Sequence, residues 1–113
     1  MGYNGVIYKY NANKVGIINA GQTIDPDNFI LYQNFPNPFN PETMIRYFLK
    51  KSDNVTLTIY DALGKELLTL VNVRQSAGSH SVSFSGANLP SGIYFYELKA
   101  GNYSEVKKML LLK

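Results

Sequence analysis

From residue 45 onward, apolar and polar side chains alternate along the chain with a period of two. Ile45, Tyr47 and Leu49 stand against Arg46, Phe48 and Lys50; Val55, Leu57 and Ile59 stand against Thr56, Thr58 and Tyr60. Successive side chains of a strand point to opposite faces, so each run predicts a strand with one face on a core. Residues 67–71 supply a return partner, and residues 93–100 and 103–112 supply two further strands. In between, His80, Val82 and Phe84 alternate with Ser79, Ser81, Ser83 and Ser85, which makes one face of that strand polar throughout.

Turn signals fall at the breaks. Asp61-Ala62-Leu63-Gly64 reads as a tight connection with Gly64 where φ is positive, and Leu89-Pro90-Ser91-Gly92 turns the chain into the next strand. Gly101-Asn102 offers a two-residue hairpin turn. About seven strands at a spacing of roughly 8–12 residues predict an all-β antiparallel sandwich. No segment of helical length carries a 3.6-residue period.

One stretch breaks the alternation. In Phe35-Pro36-Asn37-Pro38-Phe39-Asn40-Pro41, proline removes backbone donors and pushes each preceding residue to extended geometry. The segment is therefore a stiff strap, either joining two parts of the fold or presenting a shape to a partner, with Phe35 and Phe39 expected as its apolar anchors. Upstream, Val6-Ile7-Tyr8-Lys9-Tyr10 and Val15-Gly16-Ile17-Ile18 flank Asn11-Ala12-Asn13-Lys14, a plausible hairpin. Residues 1–20 thus read as the tail of a preceding domain or an added hairpin, residues 21–28 (GQTIDPDN) as a linker, and residues 29–113 as the main domain. Met1 followed by a strand-like sequence suggests a piece excised from a larger protein.

Composition changes this picture little. The 113 residues carry a net charge of +3 with Lys and Arg scattered, a weak footprint for nucleic-acid binding. Nine tyrosines and six phenylalanines favour pleated surfaces. Cysteine is absent, which excludes a disulfide framework, a thiolate nucleophile and a cysteine metal site. No signal peptide is visible, and the apolar runs are too short to span a bilayer.

Candidate chemistry is sparse. His80 is the sole histidine, and its parity with Val82 and Phe84 makes it a sheet residue with a hydrogen-bonded ring. Asp25, Asp27, Asp53 and Asp61 sit in turn contexts; Asp25-Pro26-Asp27-Asn28 gathers oxygen ligands that could hold calcium weakly, without EF-hand spacing. There is no glycine-rich phosphate loop. Ile93 and Phe95 oppose Tyr94 and Tyr96 across their strand, which describes either a central strand buried on both faces or one face offered to a partner such as a polysaccharide. No cofactor and no enzymatic activity are expected.

From Tyr32-Gln33-Asn34-Phe35-Pro36-Asn37-Pro38-Phe39-Asn40-Pro41 and Thr43-Met44-Ile45-Arg46-Tyr47 onward, the chain resembles the type A C-terminal sorting domains of the type IX (Por) secretion system. The likeness continues through Val55-Thr56-Leu57-Thr58-Ile59-Tyr60-Asp61-Ala62-Leu63-Gly64-Lys65-Glu66-Leu67, Ala77-Gly78-Ser79-His80 and Leu89-Pro90-Ser91-Gly92-Ile93-Tyr94-Phe95-Tyr96, and ends in Lys107-Lys108-Met109-Leu110-Leu111-Leu112-Lys113. The same strand motifs resemble the Ig-like domain of flagellar hook-capping proteins.

The resemblance implies a seven-stranded Ig-like sandwich on a secreted or surface protein of a Bacteroidetes-type bacterium. Such a domain is the address by which an upstream cargo passes from the periplasm through the outer-membrane translocon. A sortase then removes it, though the Asn-Pro-Phe-Asn-Pro form here departs from the shorter Pro-Asn-Pro motif. Recognition residues expected on this basis are Pro36, Asn37, Pro38, Gly64, Gly92, Tyr94, Lys107, Lys108 and Lys113. The basic, leucine-rich end is a strand that a partner could pair by strand addition, or one that completes the sandwich. The competing expectations are a structural or adhesive Ig-like module and a carbohydrate-binding module using Tyr94, Tyr96 or other exposed tyrosines.

Overall fold

The computed structural model describes residues 29–113. The strands are β1 (Ile30–Leu31), β2 (Glu42–Leu49), β3 (Asp53–Asp61), β4 (Glu66–Gln75), β5 (Gly78–Ser85), β6 (Gly92–Ala100) and β7 (Tyr103–Leu111). They form two antiparallel sheets, one in the order β1-β2-β5 and one in the order β4-β3-β6-β7, as the alternation predicts. The hairpin expected before residue 20, the linker and the Asp25/Asp27 cluster lie outside the described residues.

The core lies between the sheets and is built from the predicted parity. Ile45, Tyr47 and Leu49 of β2 face Val55, Leu57 and Ile59 of β3, Tyr94, Tyr96 and Leu98 of β6, and Met109 and Leu111 of β7, all buried. Each such aliphatic side chain contributes about 1.5–3 kcal/mol through removal from water.

β4 is longer than the residues 67–71 expected, and its side chains stay largely exposed. It lies at the edge of its sheet, and register shifts between Leu57 and Thr58 and between Ile59 and Tyr60 interrupt its pairing with β3. An interrupted ladder alternates faces irregularly, so the period that marks β3 is lost on its partner.

The turns follow the expected chemistry. Gly64 has φ 86° and Gly101 φ 59°, conformations that favour glycine. The Asp61 carboxylate accepts the N–H groups of Leu63 and Lys65, each at 2.9 Å, and so closes the β3–β4 turn. Asp53 likewise accepts the Asn54 N–H at 2.8 Å. Both carboxylates thus serve local backbone geometry.

Candidate recognition surface: the strap and the terminal strand

The strap begins from a buried hub that the sequence reading did not single out. Asn34 is 2% exposed. Its backbone N–H donates to the Tyr96 hydroxyl at 2.8 Å, while that hydroxyl donates to the Tyr32 carbonyl at 2.8 Å. Its side-chain amide donates to Thr43 Oγ1 at 3.0 Å and to the Pro36 carbonyl at 3.2 Å, and accepts from Gln33 Nε2 at 2.6 Å. Thr43 in turn donates to the Pro36 carbonyl at 2.8 Å. Buried polar groups are tolerable only when paired, and here the first turn of the strap is paired on every side.

The far end of the strap is fastened to β7. The Leu110 N–H donates to Asn37 Oδ1 at 2.9 Å, the Phe39 N–H donates to the Leu110 carbonyl at 3.0 Å, and the Leu112 N–H donates to the Phe39 carbonyl at 3.0 Å. Gln33 Nε2 adds a bond to the Lys108 carbonyl at 2.7 Å. Phe39 and Leu111 thereby form a parallel bridge, which closes residues 108–112 of the sheet edge. The peptide bonds preceding Pro36, Pro38 and Pro41 are all cis.

Only one of the two expected anchors is an anchor. Phe39 is buried at 1% exposure and meets Phe84 edge-on, with ring centroids 6.0 Å apart, whereas Phe35 is 74% exposed. The backbone of Phe35 exchanges two hydrogen bonds with Met44, which leaves its side chain on the surface. Gly86 makes room for the buried anchor: a Cβ there would lie 2.7 Å from Leu111 Cδ2 and 3.5 Å from Phe39 Cε2.

The other expected recognition residues divide into exposed and structural ones. Pro36, Asn37, Pro38 and Lys108 are exposed. Lys107 faces the opposite side of β7 from Lys108 and pairs with Glu105 at 3.4 Å. Lys113 donates its ammonium to the carbonyls of Ala87 and Leu89 at 2.6 and 2.9 Å, and its N–H to Ser91 Oγ at 2.9 Å. Gly64 shapes a turn, and Gly92 opens β6 opposite Leu111.

Tyr94 is 5% exposed and donates to the Pro90 carbonyl at 2.7 Å, and Tyr96 is fully buried. A sugar platform of Tyr94 and Tyr96 is thereby ruled out, because both rings belong to the core of a central strand. Strand addition at residues 110–112 is likewise blocked in the folded domain, since the strap already takes the N–H and carbonyl of Leu110 and the N–H of Leu112.

Burial raises the Tyr96 phenol well above the usual tyrosine range; it does the same to Tyr103, with the Glu105 carboxylate bonded to its hydroxyl adding to the effect. His80 stacks on Tyr47 at a centroid distance of 5.5 Å, and its Nε2 lies 2.8 Å from the Ser76 carbonyl. It is the hydrogen-bonded sheet histidine that its parity predicts.

The family model of the secretion system C-terminal sorting domain matches residues 33–112, from the Asn34 hub to the terminal strand. The chain belongs to this family. It is a C-terminal sorting signal of type IX secretion, and the sorting domain directs export to the cell surface or beyond it. Among solved structures, the sorting domain resembles part of the dimeric latent PorU of Porphyromonas gingivalis, with a TM-score of 0.61 and 21% identity over 79% of this chain. It also resembles part of PorZ, an essential surface component of the type IX secretion system of the same organism, with a TM-score of 0.52 and 17% identity over 74% of this chain. These likenesses cover 10% and 11% of those proteins, so the chain spans about a tenth of their length. No curated protein matches the sequence. Among the described residues, no helix is long and apolar enough to cross a membrane.

Proposed function

We propose that the sorting domain is a non-enzymatic address read in its folded form by the type IX translocon, carrying an upstream cargo domain from the periplasm to the surface. On this reading residues 29–113 are the address and residues 21–28 the linker, with residues 1–20 belonging to the cargo or packed beside the sandwich. A sortase cuts within the linker, near residues 20–28. The observation that carries the proposal is the union of strap and terminal strand. The Pro36-Asn37-Pro38 segment and residues 108–112 are one hydrogen-bonded unit, so a partner that reads either must meet both.

Pre-organisation supports this role, because a shape fixed before binding loses little conformational freedom on recognition. Pro36, Asn37, Pro38 and Lys108 are then contact residues, and Lys107 borders them. Gly64, Gly92, Tyr94 and Lys113 hold the frame that presents them.

The test is a signal-peptide-bearing reporter fused to residues 21–113 in a type IX-competent host. Export to the surface or medium is expected, with loss on removing residues 107–113. Retention of the fusion in the periplasm, or undiminished export of the truncated form, contradicts the proposal.

A further inference from the structure

We propose that the outer side-chain face of β6 and β7 is the docking surface of the folded address, and that it receives a partner protein presenting an apolar contact with a carboxylate placed for Lys108. This rests on the reading that the export machinery binds the folded domain.

Tyr94, Tyr96, Leu98, Met109 and Leu111 point inward, so Ile93, Phe95, Val106, Lys108 and Leu110 point outward. The register places Ile93 beside Leu110, and Phe95 between Tyr60 and Lys108. Directly opposed residues lie on the same face within side-chain reach of one another, so these groups form one patch. Ile93 is 41% and Val106 52% exposed, while Phe95, Tyr60 and Leu110 are half-buried. An apolar sheet face of this kind is an interaction site far more readily than a bare surface.

The charges specify the partner's chemistry. Glu97, the carboxylate on this face, is occupied: it accepts from the Tyr60 hydroxyl and from Ser104, each at 3.0 Å. Lys108 has no ion pair among the described residues, whereas Lys107, on the inner side of the strand, has Glu105. Among the described residues the face therefore offers apolar area with two uncompensated cations, Lys108 beside Phe95 and Lys99 farther along β6 opposite Ser104. Lys108 is the one at the apolar patch, and electrostatic complementarity calls for an anionic group opposite it.

The strap determines how the partner approaches. Asn37 closes the backbone edge at Leu110, so docking uses side chains of the face together with the exposed Asn37 and Pro38 rather than an added strand. The outer face of β5 carries Ser79, Ser81, Ser83 and Ser85, which offer no comparable apolar area.

Three variants of the reporter fusion test the inference in the type IX-competent host: Lys108→Glu, Ile93→Ser, and Val73→Ser on the distant edge strand β4. Folding of each isolated 21–113 segment is checked by thermal unfolding. Lys108→Glu and Ile93→Ser are expected to lower export by about tenfold or more, the scale of one lost interface contact, while Val73→Ser exports as the parent does. Lys108 is exposed, so its reversal leaves the fold intact even if Ile93→Ser does not. Export of folded Lys108→Glu at the parental level overturns the docking face while leaving the proposed function standing. If the parent fusion itself is not exported, the proposed function falls and the docking face with it.

Discussion

The side chain of Asn37 accepts the backbone N–H of Leu110 at 2.9 Å, across 73 residues of sequence. A proline-flanked loop thus occupies a position that a neighbouring strand would take. It satisfies an edge donor without providing a second edge, so the end of the sheet is neither open to chance pairing nor extended.

Removing this side chain should loosen the terminal strand without unfolding the domain. Asn37→Ala leaves a partly exposed donor unpaired, a loss of about 1 kcal/mol. For a domain of this size that is a fall in Tm of about 4–8 °C, measurable by circular dichroism.

Gly86 should be much less tolerant than its lack of a side chain suggests. Gly86→Ala places a methyl group against Leu111 and Phe39, and overpacking of this kind costs about 1–3 kcal/mol. Urea unfolding should show the midpoint shifted to lower concentration with the slope unchanged. Gly64→Ala, which meets no neighbouring atom, should lose stability through its φ of 86° alone, about 1–2 kcal/mol.

Tyr96 ties the central strand to the strap, and Tyr96→Phe should reveal this in two ways. At neutral pH the Tyr32 carbonyl and the Asn34 N–H lose their partner, a cost of about 1–3 kcal/mol. At alkaline pH the difference should shrink. The phenols of Tyr96 and Tyr103 are raised above their ordinary value of 10.0 chiefly by burial, so above that pH the unfolded chain releases protons that the native state retains. Stability contributed by the two groups is complete below about pH 10 and falls as pH rises beyond it. Urea midpoints compared at about pH 9 and about pH 11 should fall less for Tyr96→Phe than for the unsubstituted domain.

Much of the sandwich was legible in the sequence because its central strands obey a strict two-residue period. Val55, Leu57 and Ile59 on β3 and Tyr94, Tyr96 and Leu98 on β6 are buried where parity places them. The strap resisted the same reading. Phe35 and Phe39 each stand beside a proline, and nothing local distinguishes the one on the surface from the one in the core; that choice is made by Gly86 and Leu111, far away in sequence. Asn34 gave no signal because its role depends on Tyr96 and Thr43, which meet only once the sheets have packed. Lys113 read as part of a basic tail, yet its ammonium fastens the carbonyls of Ala87 and Leu89. Charge can be counted in a sequence, but whether a charge is free or engaged depends on packing.

The strap and the terminal strand form one closed unit in the folded domain. Native-state amide hydrogen exchange at Leu110 and Leu112, followed by NMR, tests it most directly, since both N–H groups point away from β6 and are bonded only by Asn37 and Phe39. Slow exchange at both positions is predicted, with Leu110 accelerated in Asn37→Ala. Exchange at both positions as fast as at the exposed turn residue Ala62 would contradict a closed unit.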